Sequence, residues 1–382
     1  KYENNTPRKI LSLDGGGIRG IITLEILLEM EKKLRAEMKD ENLLLGDYFD
    51  YIGGTSTGAI IAAGLSIGMS VQELLNFYIK DGKDMFDKNF LLKKWKSLYD
   101  SGALIEMLKK TFGKDTNLVL MEEEKKEEEK KKFHCLLLVV TMNRSTDSPW
   151  PISSNPLAKY NHPSHPDCNA KIKLYQLVRA STAAPVYFPP EILELNPKDP
   201  SKNFVFVDGG VTPYNNPAFL MYRMATQPAY NLEWELGDDK LLIISVGTGT
   251  AASSGEYRNI LDTVTNLPSN LMHAMQEDQD INCRTVGKCT FGAPIDRELH
   301  DMIPMDKDGN VGDLSQNTKR HFLYARYNAD LSEKGLKEMG LERIDSNNIR
   351  KMDAVENIVQ LREVGRVAAK QVSMKHFGKF VK

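Results

Sequence analysis

The sequence has little charge imbalance, few cysteines and no long hydrophobic run, and each absence narrows what the protein can be. Its 382 residues carry a formal net charge of −2, which gives no reason to expect a nucleic-acid partner. The longest nearly apolar window, residues 59–69, is too short to span a bilayer. The four cysteines lack CxxC spacing and the chain shows no signal-peptide pattern, so we expect a cytoplasmic location.

What the sequence does contain is enough apolar material for a large core. Hydrophobic residues make up 41% of the chain, and α/β folds of this size occur as single domains. Short apolar runs typical of buried strands alternate with segments of helical periodicity. This alternation predicts an α/β fold.

A glycine-bounded serine is the first candidate for chemistry. The motif Gly54-x-Ser56-x-Gly58 follows a strand-like run at residues 48–52 and precedes a helix-like run at residues 59–63. Glycines on either side let the backbone turn sharply and leave the serine Oγ projecting between strand and helix. The pattern predicts a nucleophile elbow, with a small-residue turn packed under a helix as the plainer alternative.

A run of three glycines near the start supplies a second candidate element. Gly15, Gly16 and Gly17 follow the strand-like run at residues 9–13 and precede about twenty residues of helical periodicity. Successive glycine amides can point at one place and stabilise an oxyanion. Arg19 adds a positive charge beside them, so these four residues are the predicted oxyanion hole.

The same glycines also fit a different function. Gly15-x-Gly17-x-x-Gly20 satisfies the dinucleotide-binding pattern between a strand and a helix. That pattern expects an acidic residue at the end of the second strand, about 20 residues further on. Here the second strand ends in glycines and the Ser56 turn. A nucleotide-binding module therefore remains an alternative, but the acidic residue that this pattern expects is missing.

A carboxylate is the third candidate element. Asp208 ends the apolar run at residues 203–207 and is followed by Gly209 and Gly210. Sites of α/β folds form at the carboxyl ends of such strands, although an aspartate before glycine is also common in simple turns. A serine needs a base to take its proton, and Asp208 is the predicted base.

Histidines leave a second arrangement open. Chains of the α/β-hydrolase type run serine, acidic residue, histidine, and four histidines follow the aspartate: His273, His300, His321 and His376. None of them lies in a glycine-bounded loop of the kind that presents a catalytic group. A Ser-His-Asp esterase is therefore the alternative to a Ser-Asp dyad, and an inactive hydrolase scaffold is a third interpretation.

These motifs together resemble the patatin-like phospholipase family. The three turns and the segment 180–188 occur in the family's order within the first 210 residues. The resemblance implies a three-layer α/β/α fold with a mainly parallel sheet and C-terminal helices packed on it. It places a catalytic domain at residues 1–330 and a helical extension of that domain at 331–382. It also implies a Ser56–Asp208 dyad, independence from calcium and other cofactors, and release of fatty acid from membrane glycerophospholipids.

A narrower resemblance concerns regulation. Residues 141–151 and 206–217 are similar to bacterial phospholipase effectors of anti-phage (CBASS) signalling, which cyclic dinucleotides switch on. This implies a cyclic dinucleotide activator, action at the inner membrane surface, and a homo-oligomer as a candidate state. Nothing in the residue spacing itself indicates a nucleotide site.

Two further segments interrupt the pattern of strands and helices. Residues 122–132 are a block of glutamates and lysines, which predicts a solvated insertion. Residues 143–170 contain five prolines and little periodicity, which predicts a long loop acting as a lid or regulatory element. His162, His165 and Cys168 in that loop lack a fourth ligand, so no metal is expected.

Overall fold

The structure is a computed structural model, and it describes part of the chain. The described residues are 7–86, 102–118, 133–250, 260–295 and 319–381, apart from residues 163, 166, 186–187 and 197. The charged insertion predicted at residues 122–132 and the candidate His300 lie outside them.

Within the described residues, nine strands form one sheet. The strands are β1 (Arg8–Leu13), β2 (Tyr51–Thr55), β3 (Leu136–Asn143), β4 (Ser148–Ser153), β5 (Glu191–Glu194), β6 (Asn203–Asp208), β7 (Leu241–Val246), β8 (Lys288–Phe291) and β9 (Leu323–Tyr327). The α-helices of these residues are α1 (Gly20–Met38), α2 (Leu45–Tyr48), α3 (Thr57–Ser66), α4 (Val71–Phe86), α5 (Gly102–Phe112), α6 (Leu174–Ser181), α7 (Ala218–Thr226), α8 (Ile260–Val286), α9 (Glu333–Glu338), α10 (Ser346–Ile349) and α11 (Ile358–Ala369). None of them combines the length and the apolar character that a membrane span requires.

The sheet is mainly parallel and has helices on both faces. Its strands are hydrogen-bonded in the order β5-β6-β3-β2-β1-β7-β9-β8, with β4 also paired to β3. Alternate residues of β1 point to opposite faces. Leu11 and Leu13 belong to the core cluster that contains residues of α1, α3 and α11, whereas Ile10 belongs to the cluster that contains residues of α7 and α8. The predicted three-layer α/β/α fold is confirmed.

Strand β3 brings distant parts of the chain together. Its residues 138–140 pair with both β2 and β4, and its residues 141–143 pair with both β4 and β6. A strand residue has one partner on each side, so β4 follows one edge of β3 while β2 and β6 share the other edge. β2 is parallel to β3 and β6 is antiparallel, so their carboxyl ends face each other.

The segment 143–170 differs from the loop predicted for it. Residues 148–153 form β4, antiparallel to β3, and Trp150 packs against Phe204 and Phe206 at ring distances of 5.0 and 5.4 Å. Prolines are compatible with a strand at an edge, where a missing N–H faces solvent. The described residues between 154 and 170 make local bonds such as Asn161 Nδ2 to the Ser153 carbonyl at 2.6 Å. The lid interpretation of this segment is therefore wrong for its first half, which belongs to the sheet.

The C-terminal helix α11 lies on α1 and reaches the sheet through it. Leu361 and Val364 are fully buried in the core that α1 shares. Gly365 permits a close approach, since a Cβ there would lie 2.8 Å from the Cβ of Glu25 on α1. A 3₁₀ segment, Met374–Val381, then packs against β9 with Phe377 fully buried.

Candidate active site

Ser56 occupies a tight turn between β2 and α3. Its backbone has φ 55° and ψ −122°, a conformation rare for a residue with a side chain and common at functional turns. A Cβ on Gly54 would lie 2.2 Å from the carbonyl of Gly58, so strand and helix can approach this closely only with glycine there. The Ser56 amide donates to Ser181 Oγ at 2.9 Å, which fixes the turn. This is the geometry predicted for a nucleophile elbow.

Asp208 lies in direct contact with the serine. Ser56 Oγ donates to Asp208 Oδ2 at 2.6 Å, and the Gly210 amide donates to Asp208 Oδ1 at 2.7 Å. Burial raises the pKa of Asp208 to about 6, against the lowering effects of these two bonds and of the Arg179 charge. A carboxylate with a pKa near neutrality is suited to take and return a proton.

The amides of the glycine turn are not equivalent. Gly15 N donates to the carbonyl of Asn215 at 3.1 Å, so this amide is engaged, contrary to its predicted role as an oxyanion donor. The amides of Gly16 and Gly17 have no acceptor among the described residues. A Cβ on Gly15 would lie 3.2 Å from the Cβ of Ser56, so the turn packs directly against Ser56. The two free amides of the predicted oxyanion hole are therefore those of Gly16 and Gly17.

The start of α1 is covered by the chain beyond α10. The Ile18 amide donates to the carbonyl of Met352 at 2.9 Å. Gly17 has φ +59°, and a Cβ there would lie 2.2 Å from the same carbonyl oxygen. A dinucleotide site uses the helix N-terminus to bind pyrophosphate. Here a backbone carbonyl occupies part of that position, which disfavours the nucleotide-binding alternative.

Arg19 contacts the backbone of the glycine turn. Its half-buried guanidinium donates through Nε to the Gly16 carbonyl at 3.4 Å. Burial lowers the pKa of Arg19 to about 10, while Asp14 raises it and Arg350 lowers it further. Its contact is with the backbone of the turn, and a direct role for Arg19 at an oxyanion stays a prediction.

The described histidines that follow Asp208 in the chain make their contacts elsewhere. His321 and His376 each bond through Nδ1 to a tyrosine hydroxyl, at 2.7 and 2.8 Å. His273 Nδ1 lies 3.9 Å from a glutamate oxygen of its own helix. No described histidine bonds to Asp208, whose two oxygens accept from Ser56 and a backbone amide. The arrangement favours the dyad over the triad.

The described residues contain no group of three or more histidine, cysteine or acidic side chains that could hold a metal. His162 bonds through Nδ1 to Ser164 Oγ at 2.6 Å, and Cys168 Sγ donates to the Asn161 carbonyl at 3.3 Å. His165 Nδ1 accepts from the Asp167 amide at 3.2 Å, so each of the three candidate ligands takes part in a local bond of this segment.

Two supporting residues were missed at the sequence level. Ser181 Oγ accepts from the Ser56 amide and donates to the Val140 carbonyl at 2.7 Å. Thr248 Oγ1 donates to the Gly15 carbonyl at 2.9 Å. Both stand in motifs of small residues that were visible in the sequence, residues 180–184 and 247–249. Their partners are backbone atoms, which a sequence pattern does not specify.

A strand-serine-helix turn with a facing carboxylate and a glycine turn is the arrangement of α/β serine hydrolases. The chain also matches the sequence model for patatin-like phospholipase over residues 11–222. It therefore belongs to the patatin-like phospholipase family.

Curated relatives agree with this membership. Patatin group M-3 of Solanum tuberosum is 29% identical over 255 residues, covering 63% of this chain and 60% of the relative. Patatin-17 of Solanum cardiophyllum is 31% identical over 257 residues, covering 64% and 61%. The chain thus spans about 60% of the length of these relatives.

Solved structures give weaker similarities. VipD from Legionella pneumophila aligns with 94% of this chain and 67% of its own, at 14% identity and a TM-score of 0.34. Human GIVD cytosolic phospholipase A2 with methyl gamma-linolenyl fluorophosphonate aligns with 99% of this chain and 60% of its own, at 11% identity and a TM-score of 0.41. These values are too low to carry an argument about function.

Proposed function

We propose that this chain is a serine lipid acyl hydrolase of the phospholipase A type, which cleaves ester bonds of membrane glycerophospholipids. The observation that supports it most is the 2.6 Å bond between Ser56 Oγ and Asp208 Oδ2. Membership of the patatin-like phospholipase family supports the lipid substrate.

The proposed mechanism uses a Ser-Asp dyad. Asp208 takes the proton of Ser56 as Oγ attacks the ester carbonyl, and the amides of Gly16 and Gly17 stabilise the negative oxygen that forms. The proton passes to the departing lysophospholipid alcohol, leaving an acyl-serine. Water then attacks the acyl-serine, Asp208 accepts its proton, and Ser56 regains a proton as the fatty acid leaves.

We also propose that a cyclic dinucleotide activates the enzyme at the cytoplasmic surface of the inner membrane in anti-phage defence, as the sequence resemblance suggests. A cavity of about 450 Å³ lies beside α1 and the end of α11, but it does not suit this effector. Three glutamates and four basic residues line it, and three of the basic residues already pair with the glutamates: Arg35 with Glu31 at 2.8 Å, Lys32 with Glu29 at 3.9 Å and Arg366 with Glu25 at 3.5 Å. Such compensated charges offer little to two phosphates.

The test of the hydrolase proposal is fatty-acid release from phospholipid vesicles by the purified chain, with and without a panel of cyclic dinucleotides. Ser56→Ala should abolish release under every condition. Ser66→Ala is the matched control, because Ser66 is a buried serine at the far end of α3 whose Oγ donates to the carbonyl of Ala63 at 3.0 Å. Release that persists in Ser56→Ala contradicts the proposal.

A further inference from the structure

A row of polar side chains crosses the sheet beneath the glycine turn. Ser12 on β1, Ser245 on β7 and Arg326 on β9 are register partners on adjacent parallel strands. They are 0%, 0% and 3% exposed. The residues two positions earlier on each strand belong to the hydrophobic core. Because burying polar groups is costly unless they are well bonded, this row indicates a role beyond packing.

Arg326 is the centre of the row. Its Nη2 donates to Asp14 Oδ2 at 2.7 Å, and its Nη1 lies 3.2 Å from Asp14 Oδ1 and 2.6 Å from Ser245 Oγ. Its Nε lies 3.6 Å from Asp280 Oδ2 on α8. Asp14 is the residue that directly precedes the glycine turn. The guanidinium therefore links Asp14, at the start of the glycine turn, to Asp280 of helix α8 on one face of the sheet.

The connection continues along α8. Arg284 donates to both oxygens of Asp280, at 3.0 and 2.9 Å, and Tyr324 OH donates to Asp280 Oδ1 at 2.9 Å. The four groups Asp14, Arg326, Asp280 and Arg284 alternate in charge and are all buried. Removing or displacing one member of such a set leaves a buried charge without its partner, which is costly. The network therefore keeps each member in a defined position.

The same helix also contacts the second catalytic turn. The Cε atom of Met272 on α8 lies 3.6 Å from the position that a Cβ on Gly210 would take, and Gly210 donates to Asp208. Met272 and Asp280 are about 12 Å apart along the helix axis, at 1.5 Å per residue. Helix α8 thus contacts the Asp208–Gly210 turn directly, and it is linked to the glycine turn through Arg326 and Asp14.

We propose that Arg326 is a positioning residue of the active site. It keeps Asp14, and through Asp14 the glycine turn, in position beside Ser56. Asp280 of α8 in turn fixes the position of Arg326. The inference rests on the proposed function, because it assumes that the turn serves as the oxyanion hole. The hydrogen bonds of Arg326 go to Asp14 and Ser245, and not to Ser56 or Asp208. Its guanidinium group binds both oxygens of a carboxylate, which a lysine ammonium group cannot do in the same geometry.

The test compares Arg326→Lys with Arg8→Lys. Arg8 is the matched control because it lies at the opposite end of β1, is 7% exposed and bonds to Asp50 at 3.0 Å. Both variants should lower the melting temperature. Arg326→Lys should reduce kcat about 10²-fold with little change in KM, as expected for a small displacement of a catalytic element. Arg8→Lys should leave kcat close to that of the wild type.

Amide exchange separates this inference from the proposed function. Residues 14–20 should exchange faster in Arg326→Lys and at the wild-type rate in Arg8→Lys, whether or not the chain hydrolyses phospholipid. If Arg326→Lys does not fold, Asp280→Asn replaces it, and the same acceleration with about a tenfold loss of kcat is expected. Equal losses of kcat in the two lysine variants, or unchanged exchange at residues 14–20, overturn the inference.

Discussion

Ser56 Oγ and Asp208 Oδ2 lie 2.6 Å apart although 152 residues separate them in the chain. Strand β3 brings them together: Thr55 pairs with Val140, and Asp208 pairs with the next residue, Thr141. Because β2 and β6 approach the same edge of β3 from opposite directions, the carboxyl end of each faces the other. Asp208, the proposed base, therefore contacts Ser56, the proposed nucleophile, directly.

Replacing the base tests this arrangement. Asp208→Asn should keep the shape of the side chain but lower kcat by at least about 10²-fold, because an amide cannot accept the serine proton. Alanine substitutions of the candidate histidines should each retain most of the activity, at His273, His300, His321 and His376. The measurement is vesicle hydrolysis together with labelling of Ser56 by a phosphonate. A histidine variant that folds and is as inactive as Ser56→Ala would establish a triad instead.

The glycine turn can be tested at Gly17. Gly17→Ala introduces strain at φ +59° and a clash with the Met352 carbonyl, so it should move a free amide and lower kcat about 10²-fold, with KM nearly unchanged. Gly340→Ala is the control, since Gly340 has φ +71° with open space around its Cβ position. Backbone strain should cost each variant about 1–3 kcal/mol of stability, and Gly17→Ala should lose more because of the clash with the Met352 carbonyl. An effect of Gly17→Ala on KM alone would indicate substrate binding by the turn.

Ser181 provides a test of how the nucleophile is held. Ser181→Ala removes the acceptor of the Ser56 amide and should lower kcat about tenfold, because the turn that holds Ser56 Oγ is then displaced. The lost buried hydrogen bond also costs about 1–3 kcal/mol of stability. Ser154→Ala is the control, because Ser154 Oγ accepts the Leu137 amide at 2.8 Å on the same sheet. Melting temperatures should fall similarly in both. Equal kcat in the two variants would show that the bond to Ser181 is only structural.

The turns that hold Ser56 and Asp208 were predictable because each depends on a local pattern. Glycines that flank a serine, and a strand that ends in an acidic residue, are fixed by backbone requirements within a few residues. Ser56 and Asp208 were therefore identified from their own motifs, and the structure brings these two residues into contact.

The environment of those turns was not predictable. Asn215, Met352 and Arg326 reach the glycine turn from 200 or more residues away, and the first two act through backbone carbonyls that carry no sequence signal. Likewise β4 is stabilised by pairing with β3, although its prolines favour a loop. Tertiary contacts determine both features: the local sequence gives no signal for the contacts at the glycine turn, and it disfavours the strand at β4.

Activation can be tested in solution. If a cyclic dinucleotide is the effector, one member of the panel should raise phospholipid hydrolysis strongly and increase the melting temperature, because a ligand shifts a population only by binding one state more tightly. A change from mostly inactive to mostly active requires about 5 kcal/mol of such preference. Light scattering would report any change in oligomer size. Full activity without nucleotide, with no thermal shift, contradicts the gating proposal and leaves the Ser56 chemistry untouched.

The raised pKa of Asp208 predicts opposite trends in activity and stability. As the pH rises through about 6, Asp208 ionises and kcat/KM should increase, because the base must be deprotonated. Between the unfolded pKa of 3.8 and the folded pKa of about 6, the folded chain binds more protons, so the contribution of Asp208 to stability falls as the pH rises.

Asp208→Asn removes this ionisation and should make the protein more stable than the wild type above pH 6, by up to about 3 kcal/mol. The difference should fade as the pH falls towards about 4, where the wild-type carboxyl is protonated in both states. Urea unfolding of both proteins at several pH values measures it. Asp199→Asn is the control of opposite sign, because hydrogen bonds from Ser201 lower the pKa of Asp199 and its loss should not stabilise the fold. A constant difference between Asp208→Asn and the wild type at all pH values would show that burial does not raise the pKa of Asp208.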